Sequence, residues 1–164
     1  MALLELRGLS AEVDGKPALS GLSLSVDPGE SRPVPSALSK VLMGHPSCRV
    51  TAGSIVLDGA DITVLSTAER ARRGLLPSFP RPPALPGVTV ASFLRAALAA
   101  RTRGLKDFRK LLREKLAVLK LDEGFGSRRL DAALSDAERT GFEALQRELL
   151  KPSLIIEDGV LRAL

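Results

Sequence analysis

The apolar residues of this chain change period twice along its length, and that order limits the folds open to it. Leu4 and Leu6 alternate with Glu5 and Arg7, and Leu22, Leu24 and Val26 alternate with Ser23 and Ser25, the period-two mark of half-buried strands. Such alternation suits an antiparallel sheet with one solvated face. Asp14-Gly15 and Pro28-Gly29 supply turns, because glycine accepts the positive φ that these need. Residues 36–43 predict a short helix ending before Gly44-His45-Pro46, and residues 53–59 predict a strand closed by Asp58-Gly59. Ser66 or Thr67 is placed to cap a basic helical turn running to Arg73.

Residues 77–87 then carry five prolines (Pro77, Pro80, Pro82, Pro83, Pro86), which predicts a stiff, extended surface loop, since each lacks a backbone donor. From Val88 the period becomes helical. Phe93, Leu94, Ala97 and Leu98 share one face, and Phe108, Leu111, Leu112, Leu116 and Leu119 form a stripe of period 3.6. A third helix is expected from Asp136 to Leu150, stopping before Pro152. Leu154-Ile155-Ile156 returns to a short buried strand with Glu157 and Asp158 at its carboxyl end.

Size and composition bound the rest. A chain of 164 residues fits one domain, or one domain with a small lobe, and buries roughly 70% of its unfolded surface. With five Phe and neither Trp nor Tyr, its core must be aliphatic. The formal charge of +5 admits an anionic partner, but Lys and Arg are expected to be spread over helix faces beside Asp and Glu. The scarcity of stacking side chains argues against nucleic acid. A single cysteine, Cys48, excludes an internal disulfide and suits a reducing compartment. Met1–Leu6 has no basic n-region and no run of about 18 apolar residues occurs, so a cytoplasmic protein without signal peptide, membrane span or membrane partner is expected. One His and one Cys cannot form a metal cluster.

Three blocks then resemble a known family. Val50–Thr63 is similar to the G-x-[IV]-x-[LF]-[DN]-G-x-[DN]-[IL] block of ABC ATPases, and Ser66–Leu75 continues in register. Leu38–Pro46 and Arg81–Arg95, the latter a proline-rich loop leading into V-x-x-F-L-R, resemble one branch, the ATPase subunit of the Suf iron–sulfur cluster assembly system. The resemblance implies an α/β fold of the ABC-ATPase, P-loop NTPase type, with an N-terminal antiparallel β lobe and a helical subdomain. It also implies ATP and Mg2+ as cofactors, Suf scaffold proteins as partners, and a homodimer. Mapped onto this chain, it gives a single domain over residues 1–164, incomplete at its C-terminal end. Residues 1–76 would be a β-rich lobe and partial core, 77–87 a proline-rich loop, 88–150 the helical subdomain and 151–164 a remnant core strand.

The motifs that would handle ATP depart from the family pattern. A Walker A loop, G-x-x-x-x-G-K-[ST], cradles phosphates with backbone N–H groups and reaches the terminal ones with its Lys. A strand plus that loop needs about 13 residues. Between Glu30 and Leu38 stand only Ser31–Ala37, without Gly or Lys and with Pro33 and Pro35. Losing the Lys and two amide donors removes on the order of 5 kcal/mol, more than about a thousandfold in affinity. Ser36 alone matches, at the hydroxyl that the family turns toward magnesium. Lys40 reads as a solvated helix lysine and His45 as part of a structural G-H-P turn.

Pro80 falls where the family has its magnesium-linked glutamine. Leu134-Ser135-Asp136-Ala137-Glu138 aligns with the signature L-S-G-G-E, without its glycines. Ser135 and Glu138 also read as a helix capping box. Asp158 takes the position of the magnesium-linked Asp after the Walker B strand, and Gly159 replaces the water-positioning Glu, a loss of about a hundredfold or more in rate. Glu157 would serve only after a one-residue slip that turns its side chain to the other face. No D-loop or switch histidine follows.

The nucleotide-linked residues by family position are therefore Ser36, Ser135 and Asp158, with Ser36 and Asp158 as the magnesium candidates and no catalytic residue. Four readings follow. The first two are a Suf-type ATPase working with rearranged residues and a non-catalytic module docking on a Suf scaffold. The others are a decayed remnant with an exposed apolar sheet edge and, last, a nucleic-acid binder. The favoured expectation is a degenerate Suf-type ATPase subunit.

Overall fold

The computed structural model describes residues 1–78, 83–131 and 134–164. It divides into two compact units, Met1–Phe79 with Pro152–Leu164, and Pro80–Lys151.

In the first unit, Asp14 and Gly15 (φ +52° and +75°) make the tight turn that their sequence predicts. The turn joins β1 (Leu4–Val13) to β2 (Lys16–Val26) in an antiparallel pair. With β4 (Cys48–Leu57) and β5 (Ala60–Asp61) these form a sheet of order β2-β1-β4-β5. The strands run longer than the alternation alone predicts, because register shifts after Leu6 and Leu9 absorb the breaks in pattern. Gly53 permits one such irregularity: a Cβ there would lie 2.4 Å from the carbonyl oxygens of Arg7 and Gly8.

The second sheet of this unit has the order β3-β8-β7-β6. Its strands are β3 (Ser31–Pro33), β6 (Leu75–Pro77), β7 (Leu154–Glu157) and β8 (Val160–Ala163). Strand β7 runs parallel to β6 and antiparallel to β8. Two expectations change here. Pro77 closes a strand instead of opening the loop, and the amide of Ser78 still donates to the Ile156 carbonyl at 2.8 Å. Residues 160–163 form a strand of their own, so β7, buried through Leu154, Ile155 and Ile156, is flanked on both sides and is not an exposed apolar edge. The outer strands are three residues long and each ends in a proline, Pro33 or Pro77. Short, proline-bearing edges offer few amides to another chain. Pro80 and Pro82 lie outside the described residues.

Helix α1 (Ser36–Leu42) buries Leu38, Val41 and Leu42, and ends at Gly44 with φ +65°. Helix α2 (Thr67–Arg72) is capped by Ser66, not Thr67, whose hydroxyl instead donates to the Gly44 carbonyl. Arg70 on α2 is 3% exposed, and its guanidinium donates to the carbonyls of Val41, Leu42, Thr63 and Leu65. It thereby satisfies the last carbonyls of α1.

The second unit is helical: α3 (Val90–Arg101), α4 (Phe108–Val118), a 3-10 turn over Glu123–Ser127, and α5 (Asp136–Leu150). The predicted stripes face inward, with Leu94 of α3, Leu112 and Leu116 of α4, and Leu145 of α5 buried in one cluster. Phe93 and Phe142 meet edge to face at 5.5 Å. The Arg101 guanidinium donates to the Leu150 carbonyl at the end of α5. No helix among the described residues is long and apolar enough to cross a membrane.

Candidate functional site

The connection between β3 and α1 is where a phosphate loop would have to lie. The strand ends at Pro33 and the helix begins at Ser36, so only Val34 and Pro35 link them. Pro35 occupies the N-cap position and gives no side-chain cap. The Val34 amide donates to the Gly159 carbonyl at 2.9 Å, and the Leu38 amide to the Pro35 carbonyl at 2.9 Å. Ser36 is exposed at the first position of the helix.

Asp158 and Gly159 form the two-residue turn between β7 and β8, since Glu157 pairs with Val160. The left-handed φ (+77°) falls on Gly159, which explains a glycine there in conformational terms alone. Asp158 is exposed on this turn. The Glu157 carboxylate accepts from Arg162 Nε at 3.0 Å, and its carbonyl accepts from the Ser39 hydroxyl at 3.0 Å. Val34, before Ser36, is thus bonded to the turn that carries Asp158, and Ser39, after it, to Glu157 at the end of β7. The structure brings these two predicted residues to one end of one sheet, and the bonds that do so use up donors a ligand would need.

Ser135 belongs to the helical unit. Its hydroxyl accepts from the Glu138 amide at 3.1 Å, and its own amide donates to Glu138 Oε2 at 2.9 Å, the full capping box that the spacing predicts. The Glu138 carboxylate also accepts from Arg128 Nε at 2.7 Å. That bond, followed by the Ser135 amide, holds the Glu138 carboxyl below the usual carboxylate range. An open groove of about 470 Å3 adjoins this cap, lined by Leu119, Leu121, Asp136, Ala137, Thr140 and Gly141 among others. Its polar lining is already engaged: Asp136 pairs with Arg139 at 3.1 Å, and the Thr140 hydroxyl donates to the Asp136 carbonyl at 2.9 Å.

Lys40 is exposed on α1, and His45 Nδ1 accepts from the Ser47 amide at 3.1 Å within its turn, as the sequence suggests for both. Pro80 is outside the described residues. Among those residues no group of three or more His, Cys, Asp or Glu side chains could hold a metal ion. A nucleotide with its magnesium would need consecutive free amides and a lysine between β3 and α1. One of the two linking positions, Pro35, is a proline, as is Pro33 at the end of β3, and the amides of Val34 and Leu38 are spent internally. The residues present do not fit that group. Sequence reasoning missed Arg70 and the Arg128–Glu138 pair, which look like any surface Arg until the partner carbonyls and carboxylate are placed.

No family model matches the chain. It is 36% identical over 172 aligned positions to a protein of Synechocystis named "Probable ATP-dependent transporter", covering 96% of this chain and 67% of that one. It is 35% identical to a "Probable ABC transporter ATP-binding protein" of Streptococcus pyogenes serotype M3, with 98% and 67% covered. Among solved structures, a nucleotide-free ATP-binding cassette from an ABC transporter superposes with a TM-score of 0.66 at 19% identity, over 96% of this chain and 68% of that one. A dimeric cassette in a post-hydrolysis state with ADP and Pi gives a TM-score of 0.69 at 19% identity, over 94% and 72%.

Proposed function

The chain belongs to the ABC ATP-binding cassette family, and on that footing we propose that it is a Suf-type cassette subunit that keeps the family scaffold without its nucleotide chemistry. The two-residue link Val34-Pro35 carries this reading: it stands where a phosphate loop is needed, and its one amide is bonded to Gly159. The Suf assignment rests on the Leu38–Pro46 and Arg81–Arg95 blocks. Its partner would be a Suf scaffold protein in the cytoplasm, engaged without ATP or Mg2+, and Ser36, Ser135 and Asp158 would serve the fold and not a nucleotide.

Among the described residues, no buried side-chain nitrogen or oxygen lacks a hydrogen-bond partner, so the fold carries none of the orphans that cost about 1–3 kcal/mol each. A functioning ATPase with rearranged residues is the reading that the β3–α1 link opposes most directly.

Co-purification tests the assignment. The tagged chain should retain a Suf scaffold protein equally with and without magnesium–ATP. Retention that requires ATP would contradict the proposal, and failure to retain the scaffold under either condition would remove the Suf assignment while leaving the family intact.

A further inference from the structure

The positive charge of the molecule is not spread over its helices, as its composition first suggests. Seven of the 24 Lys and Arg residues lie within residues 95–113 beside a single acid, Asp107. Elsewhere 17 basic residues face 18 acidic ones, so the entire net charge of +5 originates in this one segment. It comprises most of α3, the connection to α4 and the first half of α4.

Arg103, Lys106, Arg109, Lys110 and Arg113 are all exposed. On α4, Arg109, Arg113 and Lys110 fall within one arc of about 100°, which runs from the border of the apolar stripe beside Leu116 (Arg109) to the side opposite the buried Leu112 (Lys110). Arg109 and Arg113 stand four residues apart, a like-charge spacing that weakens a helix. Arg109 and Lys110 also sit in the first turn, where the helix dipole disfavours cations and where α4 has no acid. The one acid of the segment, Asp107, is engaged in accepting the Lys110 amide at 3.2 Å as N-cap. Two local preferences of helices are broken at the same place, and both raise the same positive potential.

We propose that this ridge of Arg103, Lys106, Arg109, Lys110 and Arg113 is a peripheral docking surface for an anionic phospholipid bilayer. A cluster of four to eight Lys and Arg on the polar face of an amphipathic helix is what a phosphate-rich membrane surface attracts. A specific protein interface is built around an apolar, charge-poor centre, and this ridge has none. The segment contains no Asn or Gln to read bases, and its one aromatic, Phe108, is half-buried, so base recognition and stacking are both missing. A fluid bilayer demands neither: it supplies phosphates wherever the guanidinium and ammonium groups lie. Binding of this kind is electrostatic and reversible.

The test is co-sedimentation of the purified chain with phosphatidylcholine vesicles, with and without about one-third phosphatidylglycerol, at low and at about 1 M salt. Binding is expected to the anionic vesicles alone and to vanish at high salt. The triple variant Arg109→Glu, Lys110→Glu, Arg113→Glu should lose about tenfold or more in binding. Circular dichroism establishes that this variant folds. A second variant with the same charge change in the other unit, Lys16→Glu, Lys40→Glu, Arg72→Glu, should lose much less. Equal loss in both variants would reduce the effect to net charge and overturn the proposal. So would absence of binding at low salt, equal binding to neutral vesicles, or displacement from anionic vesicles by duplex DNA or polyglutamate at matched charge concentration.

Discussion

Arg70 shows how much a single side chain can hold. Its planar fork reaches four carbonyl oxygens on two segments, the end of α1 and the connection from β5 to α2, and closes the end of α1. Replacing it with Met should cost about 3 kcal/mol or more, because the carbonyls stay buried without donors, and Lys should not rescue it because an ammonium lacks the fork. Urea unfolding of Arg70→Met and Arg70→Lys checks this; a loss under about 1 kcal/mol would contradict it. Sequence hides the role, since Arg70, Arg72 and Arg73 read alike as a basic turn. Ser135 and Glu138, by contrast, are legible from spacing alone, and Ser135→Ala should cost about 1 kcal/mol. Arg128, and then Ser135, depress the Glu138 pKa in the folded state. The stabilisation from Glu138 is therefore complete above the ordinary Glu range and is lost as pH falls through the depressed value. Melting temperatures across that acidic window should fall more steeply for the parent than for Glu138→Gln. Parallel profiles would exclude the effect.

At the scale of elements, period and turn chemistry alone make the β1–β2 hairpin, the β4–β5 turn and the three long helices readable in the sequence. Each has a local cause: Asp14-Gly15, Asp58-Gly59, or a stripe such as Leu112 and Leu116. The strands β3, β6 and β8 are not readable, because three or four residues give too little period and two of the three end in proline. Their pairing depends on β7, which binds β6 and β8 from distant parts of the chain. Removing residues 160–164 should accordingly strip one side of β7, leave its Leu154–Ile156 core without Leu161 and Ala163, and send the chain into aggregates. Size-exclusion chromatography of that deletion against the parent decides the matter. A soluble monomer with an unchanged melt would show that β8 contributes little.

At the scale of the molecule, the sequence blocks that mark the family and the segments that would handle ATP separate cleanly. The former build α1, most of β4, β5, α2 and the start of α3; the positions aligned with the latter are a two-residue link, a hairpin turn and a helix cap. That the site segments depart is legible in Pro33, Pro35 and Gly159. What fills the place of a phosphate loop is not, because the bond from Val34 to Gly159 joins residues more than a hundred positions apart. The most direct measurement is titration calorimetry of the purified chain with magnesium–ATP, alone and with a Suf scaffold protein present. No saturable heat is expected up to about millimolar nucleotide in either case, because the amides of Val34 and Leu38 are bonded within the fold. Stoichiometric binding with a Kd near about 10 μM, of the kind a formed phosphate site gives, would contradict it.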